Sequence, residues 1–188
     1  MSALKRRFGW VLSMLGVIAL AGCATMSESD CLHADWYLVG LEDGRQGRPA
    51  EYFQRRQSAC FEHNVGVDAE TWARGHAEGL DAYCTPRRGW REGRDGNDYR
   101  YACPQDQEEA FLAAFDAGSN WRHASQALAS IRTEVAEMEE YLVDGAESAD
   151  ERRQLIRRIR EAQDEIGALE ATLYDIERRA MRRGWMSR

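Results

Sequence analysis

A chain of 188 residues carries 25 basic against 32 acidic side chains, a formal net charge of −7, with 44% of its residues hydrophobic and 30% charged. The length suits one domain with an appendage rather than two full domains. The acidic balance argues against indiscriminate binding to nucleic acid or to an anionic membrane surface.

In chain order the first element is a signal peptide over residues 1–22. Lys5-Arg6-Arg7 supplies the basic stretch, Phe8 to Leu20 the apolar run, and Leu20-Ala21-Gly22-Cys23 the small-residue cleavage context. The run is about 13 residues, short of the roughly 20 that a spanning helix needs. Leu-Ala-Gly-Cys resembles the lipobox of bacterial lipoproteins, which implies a diacylglyceryl group on Cys23 and an N-acyl chain, palmitate for example, after cleavage. Several such chains anchor firmly where one would not. Position two after cleavage is Ala24 rather than the Asp that in this class signals inner-membrane retention. The resemblance therefore implies a lipid-anchored protein of the cell envelope, on the outer membrane facing the periplasm. Cleavage would remove three of the 25 basic residues and no acid, leaving 22 against 32 and a net charge of −10. It would also remove Lys5, the sole lysine.

With Cys23 assigned to lipid, Cys31, Cys60, Cys84 and Cys103 remain, and in an oxidising compartment an even remainder reads as two disulfides. Of the three connectivities open to four cysteines, Cys31 with Cys60 and Cys84 with Cys103 is favoured, because each closes a local segment. A metal site is the weaker alternative: Cys60-x-x-His63 has ligand spacing but lacks a second close pair. No metal and no cofactor is expected.

Residues 23–30 read as a lipidated tether and residues 31–120 as a disulfide-stapled module rich in glycine and aromatics. Tyr37-Leu-Val-Gly40-Leu-Glu-Asp-Gly44 and Trp72-Ala-Arg-Gly75-His-Ala-Glu-Gly79 share one phrase, and Phe111-Leu-Ala-Ala114-Phe-Asp-Ala-Gly118 is a looser copy. Positions i, i+3 and i+7 fall on one helical face, so each phrase sets an aromatic ring beside two nearly bare backbone patches and predicts close helix packing. Gly47-Arg48-Pro49 is a breaker, Asp68 a cap for the helix bearing Trp72, and Pro86 lies just past that helix's end. Residues 87–101, with glycines and almost no aliphatics, read as an irregular or hairpin loop closed by the second disulfide.

Residues 121–188 read as sustained helix. Leu128, Ile131, Val135, Met138 and Leu142 form one arm, Asp144-Gly145 interrupts, and Ser148-Ala-Asp-Glu151 restarts a second arm carrying Leu155, Ile159, Ala162, Ile166, Leu169, Leu173, Ile176 and Ala180. Pairing residues whose numbers sum to about 297 aligns both apolar stripes in an antiparallel hairpin, and it faces Glu137, Glu139 and Glu140 with Arg160, Arg158 and Arg157. The expected fold class is mainly α: a small stapled helical module followed by a long, coiled-coil-like antiparallel hairpin.

Trp36-Tyr37-x-x-Gly40-x-x-Asp43-Gly44-x-x-Gly47, Cys60, Trp72-x-x-Gly75-x-x-x-Gly79-Leu80-x-x-Tyr83-Cys84, Gly89-Trp90-x-x-Gly93-x-x-Gly96-x-x-Tyr99 and Cys103-Pro104 together resemble an uncharacterised family of Gram-negative envelope lipoproteins, the domain of unknown function 2799 family. The resemblance covers about residues 31–120 and implies an envelope lipoprotein. It transfers no catalytic residue.

For an enzyme the sequence offers little. No Gly-x-Ser-x-Gly elbow occurs, His33, His63, His76 and His123 are scattered, and Glu78 and Asp81 near His76 read as a solvated face. A glycan-binding module would use Arg87, Trp90, Arg91, Tyr99 and Tyr101 to stack on sugars and to bond carboxylates. The preferred expectation is an anchored structural or protein-interaction component, whose partners are the membrane through Cys23 and an envelope protein or cell-wall glycan, with no nucleic acid.

Overall fold

The computed structural model describes residues 26–186; the signal peptide and Cys23 lie outside the described residues. Among the described residues the elements are all helices: α1 Glu28–Leu32, α2 Trp36–Arg45, α3 Tyr52–Phe61, α4 Ala69–Tyr83, α5 Pro86–Asp95, α6 Gln105–Asp144 and α7 Ala149–Arg182. Helix α1 opens at Glu28, inside the stretch read as tether. Ser27 and Asp30 cap α1 reciprocally, each side chain accepting from the other's backbone N–H, which satisfies donors that the first helical turn leaves open.

Two compact units result. One comprises residues 26–34 and Gln54–Val67, and the other Asp35–Phe53 with everything from Asp68 onward. In the first, α1 and the body of α3 are joined by Cys31–Cys60, with Cα atoms 5.5 Å apart. In the second, Cys84–Cys103 spans 19 residues with the same 5.5 Å separation. These are the two local pairings. Closing a loop of this length stabilises by about 3 kcal/mol in the chain-entropy model. A protein with both Cys84 and Cys103 changed to Ser is accordingly expected to lose about that much in a urea titration.

The second unit is built on helices that touch through bare backbone. A methyl group added to Gly40 would lie 2.0 Å from the Trp72 carbonyl oxygen, and one on Gly75 would lie 2.0 Å from that of Tyr37. Gly44 meets His76 and Leu80 in the same way, and Gly79 meets Leu41 and Arg45. Contacts that advance together along both helices mean that α2 and α4 run parallel. The small-x-x-x-small spacing is the one that lets membrane helices approach closely.

A second pair repeats the first. Gly89 and Gly93 of α5 press on Phe111, Phe115 and Ser119 of α6, and Gly118 presses back on Trp90 and Arg94. The segment expected to be a loop is thus helix α5, opened by Thr85, whose side chain accepts from the Arg88 N–H, and by Pro86 in its first turn. Its buried face is Gly89, Trp90, Glu92 and Gly93. A helix that buries glycines and one ring carries no aliphatic stripe, which is why its composition reads as loop. Between α5 and α6, residues 97–104 are irregular.

Helix α6 runs unbroken through position 120, so the module and the hairpin share a helix. Leu128, Val135, Leu155 and Ile159 are buried along the seam. Trp121 Nε1 donates to Glu177 Oε1 at 2.8 Å, in keeping with a sum near 297. The expected charge ladder does not form: Glu137, Glu139, Glu140, Arg157, Arg158 and Arg160 are all exposed. Charge crosses between the arms at Arg132–Glu170, 2.6 Å. The carboxylates and guanidiniums point into water, where a pair gains little. At the far turn Arg152 donates to the Leu142 and Ala146 carbonyls at 3.1 and 2.5 Å, satisfying the C-terminal end of α6. The other end of α7 returns onto the glycine pair, where Ala180 and Trp185 pack with Trp90 and Ala114.

Candidate functional site

The buried charged groups sit at the ends of the two leading glycine helices. Asp43, in the last turn of α2, is fully buried. Its Oδ1 accepts from Arg48 Nη1 at 2.6 Å and its Oδ2 from Trp72 Nε1 at 3.0 Å. Gly47 has φ +62°, a left-handed conformation that closes α2 while Arg48 N–H donates to the Asp43 carbonyl and Gly47 N–H to that of Gly44. His76 stacks on Trp72 with ring centroids 4.5 Å apart, and its Nε2 lies 2.7 Å from the Arg48 carbonyl oxygen. The Arg48 guanidinium lies over the Tyr52 ring at 4.3 Å.

The end of α5 copies this device. Gly96 has φ +80°, Asn97 N–H donates to the Glu92 carbonyl, and Asn97 Nδ2 donates to Glu92 Oε2 at 2.8 Å. Arg88 pairs with Glu92 Oε1 at 2.5 Å and lies over the Tyr83 ring at 5.5 Å. The two helix ends border one polar cleft of about 290 Å³, lined by Gln46, Gly47, Tyr83, Glu92, Gly96 and Asn97 among others. In each copy one carboxylate oxygen accepts from the residue that follows a glycine turn, and the other is taken by Trp72 or by Arg88.

Two tyrosines near this cleft resist ionisation. Burial pushes the Tyr83 hydroxyl up to about 12, and the neighbouring Glu92 charge adds to it. Burial also pushes Tyr99 up to about 12, assisted by its hydrogen bond to Glu108. A folded-state value above the unfolded one means that the unfolded chain releases protons first as pH rises. Stability is then complete below pH about 10 and is lost as pH climbs toward 12. Melting temperature is expected to fall over that window, and less steeply in Tyr83→Phe.

The residues expected to bind glycan do not form one platform. Trp90 is 1% exposed, covered by Ala180 and Trp185, and offers no face to a sugar. Tyr99 is half-buried, donating to Glu108 at 2.8 Å and accepting from the Cys103 N–H at 3.1 Å. Arg87 and Arg91 are exposed on α5. Tyr101 alone presents a ring, 79% exposed, on a backbone held at φ +54°.

The chemical triplet on α4 is likewise dispersed. His76 is held on the Arg48 carbonyl, Glu78 accepts from the Tyr37 hydroxyl, and Asp81 accepts from Gln107 Nε2. Cys60, once a candidate beside His63, is in a disulfide. Among the described residues no group of three or more His, Cys, Asp or Glu is placed to hold a metal ion, and no helix is long and apolar enough to cross a membrane. Sequence reasoning missed Asp43 and Glu92 as buried acids. The available signal was the recurrence of Gly40-x-x-Asp43-Gly44-x-x-Gly47 as Gly89-x-x-Glu92-Gly93-x-x-Gly96.

Residues 35–120 match the model of a family described as protein of unknown function (DUF2799). The match begins at the cap of α2 and ends within α6, so it takes in both glycine pairs and both glycine turns. Comparison with curated proteins and with solved structures gave no match.

Proposed function

We propose that the chain is an envelope lipoprotein, held by acyl chains on Cys23 at the outer membrane and facing the periplasm, where it acts as a structural or protein-interaction component rather than a catalyst. The observation that carries this reading is the allocation of cysteines. Four of the five are joined as Cys31–Cys60 and Cys84–Cys103, as an oxidising compartment permits. The fifth is Cys23, at the end of Leu20-Ala21-Gly22. The non-catalytic part of the reading is supported by the use made of the reactive side chains: Asp43, His76, Glu78 and Glu92 each fasten one structural element to another. The long faces of α6 and α7, with Arg157 and Arg158 exposed on the second arm, offer surface for a partner.

Membrane fractionation after Cys23→Ala tests the anchor: the protein is expected to leave the outer-membrane fraction. Photocrosslinking in intact cells from position 157 tests the partner. A discrete protein adduct supports the reading, and its absence from every exposed position of the hairpin counts against it. A glycan-binding reading is favoured by one observation, the exposed Tyr101 ring on a left-handed backbone, a conformation that costs a non-glycine residue of order 1–3 kcal/mol and clusters at ligand sites. It expects pelleting with purified cell wall that Tyr101→Ala abolishes.

A further inference from the structure

The anchor proposed above has a short reach. Met26 lies against the first disulfide, its Sδ 3.9 Å from Cys60 Sγ. Only Ala24 and Thr25 separate it from Cys23. Three residue steps extend at most about 11 Å, while the headgroup layer on one side of a bilayer is about 5–7 Å thick. A lipidated Cys23 therefore holds the unit of α1 and residues 54–67 within or directly against the headgroups.

That unit shows two large apolar side chains to solvent. Leu32 is 60% exposed and Phe61 is 77% exposed. Each follows a cysteine of the same disulfide, whose Cα atoms are 5.5 Å apart, so the Leu32 and Phe61 Cα atoms lie within about 13 Å of one another. An exposed leucine or phenylalanine by itself is ordinary. Two of them beside one staple, on the unit that the anchor pins to lipid, have a designated neighbour. Charge is compatible as well: Arg55 and Arg56 offset Glu28, Asp30 and Glu62, leaving the unit near −1 where the chain from Cys23 onward stands at −10.

We propose that this unit docks on the phospholipid surface through Leu32 and Phe61, so that the protein is seated on its membrane and not merely tied to it. The inference rests on lipidation of Cys23. Its occupant is the bilayer interface, where apolar side chains bury into the boundary of headgroup and acyl chain.

The test uses the intact acylated protein in vesicles of phosphatidylethanolamine and phosphatidylglycerol, doped with a phospholipid bearing a photoreactive group near its headgroup. After irradiation, reduction and trypsin digestion, lipid adducts are expected in residues 57–74, which carry Phe61, several-fold above those in residues 133–152 of the hairpin. The double variant Leu32→Glu, Phe61→Glu is expected to lose that excess while keeping the acyl mass on residues 23–45. Adducts spread evenly, concentrated in the hairpin, or unaltered by the double variant would overturn the docking. Absence of acyl mass on residues 23–45 would instead overturn the lipoprotein reading on which it rests.

Discussion

Gly75→Ala is expected to destabilise the protein by about 4 kcal/mol, although alanine is the better helix former by about 1 kcal/mol. The added methyl would sit 2.0 Å from the Tyr37 carbonyl oxygen and 2.9 Å from Leu41 N, both backbone atoms of α2. A side chain can rotate away from such a clash, whereas a helix backbone has to move as a body. Gly40 faces Trp72 and Gly44 faces His76 along the same seam, so a shift that relieves one contact opens the others. Overpacking ordinarily costs about 1–3 kcal/mol, and a backbone-on-backbone clash belongs at or beyond the top of that range. For a chain of this size the loss corresponds to a melting temperature lower by about 10 °C. Gly167→Ala is the matched control. Gly167 lies within α7 with nothing near its missing Cβ, so the same substitution is expected to stabilise by up to about 1 kcal/mol. Thermal melts of the two variants read the opposite signs directly.

Asp43→Ala is expected to cost about 3–5 kcal/mol, the range for removing one partner of a buried charged pair. The loss would leave the Trp72 indole N–H without an acceptor in a residue that is 4% exposed, and Arg48 without its counter-charge. It would also free the residue after the Gly47 turn, whose backbone carbonyl holds His76. The corresponding change at Glu92 is expected to be milder, because Asn97 is exposed and the Arg88 side chain is 35% exposed, so both can turn to water. Urea titrations with unchanged slopes would report both losses as shifts in midpoint.

How much of this was legible in the sequence depended on which side chains did the packing. The hairpin was readable because Leu128, Val135, Leu155 and Ile159 recur at helical spacing and nothing else explains that recurrence. The disulfide pairing followed from the short spans it closes. Helix α5 was hidden because glycine and tryptophan bury its face, a pattern that hydrophobic periodicity cannot register. The glycine phrases around 40, 75 and 114 were visible as a repeat, but the pairing of α2 with α4 and of α5 with α6 was not. The repeated Gly-x-x-acid-Gly-x-x-Gly phrase marks Asp43 and Glu92 out from the other acids, but not their burial, which depends on where Arg48 and Trp72 arrive in space. Trp90 and Tyr99, attractive as sugar platforms for their chemistry, are consumed by packing for the same chemistry.

The central claim, a lipid-anchored envelope component, is tested most directly by the intact mass of the protein extracted from the outer-membrane fraction. The account predicts a chain that begins at Cys23 and carries the added mass of a diacylglyceryl group and an N-linked acyl chain, with two disulfides intact. A chain that retains residues 1–22, or one that begins near Cys23 with no added acyl mass, would contradict it.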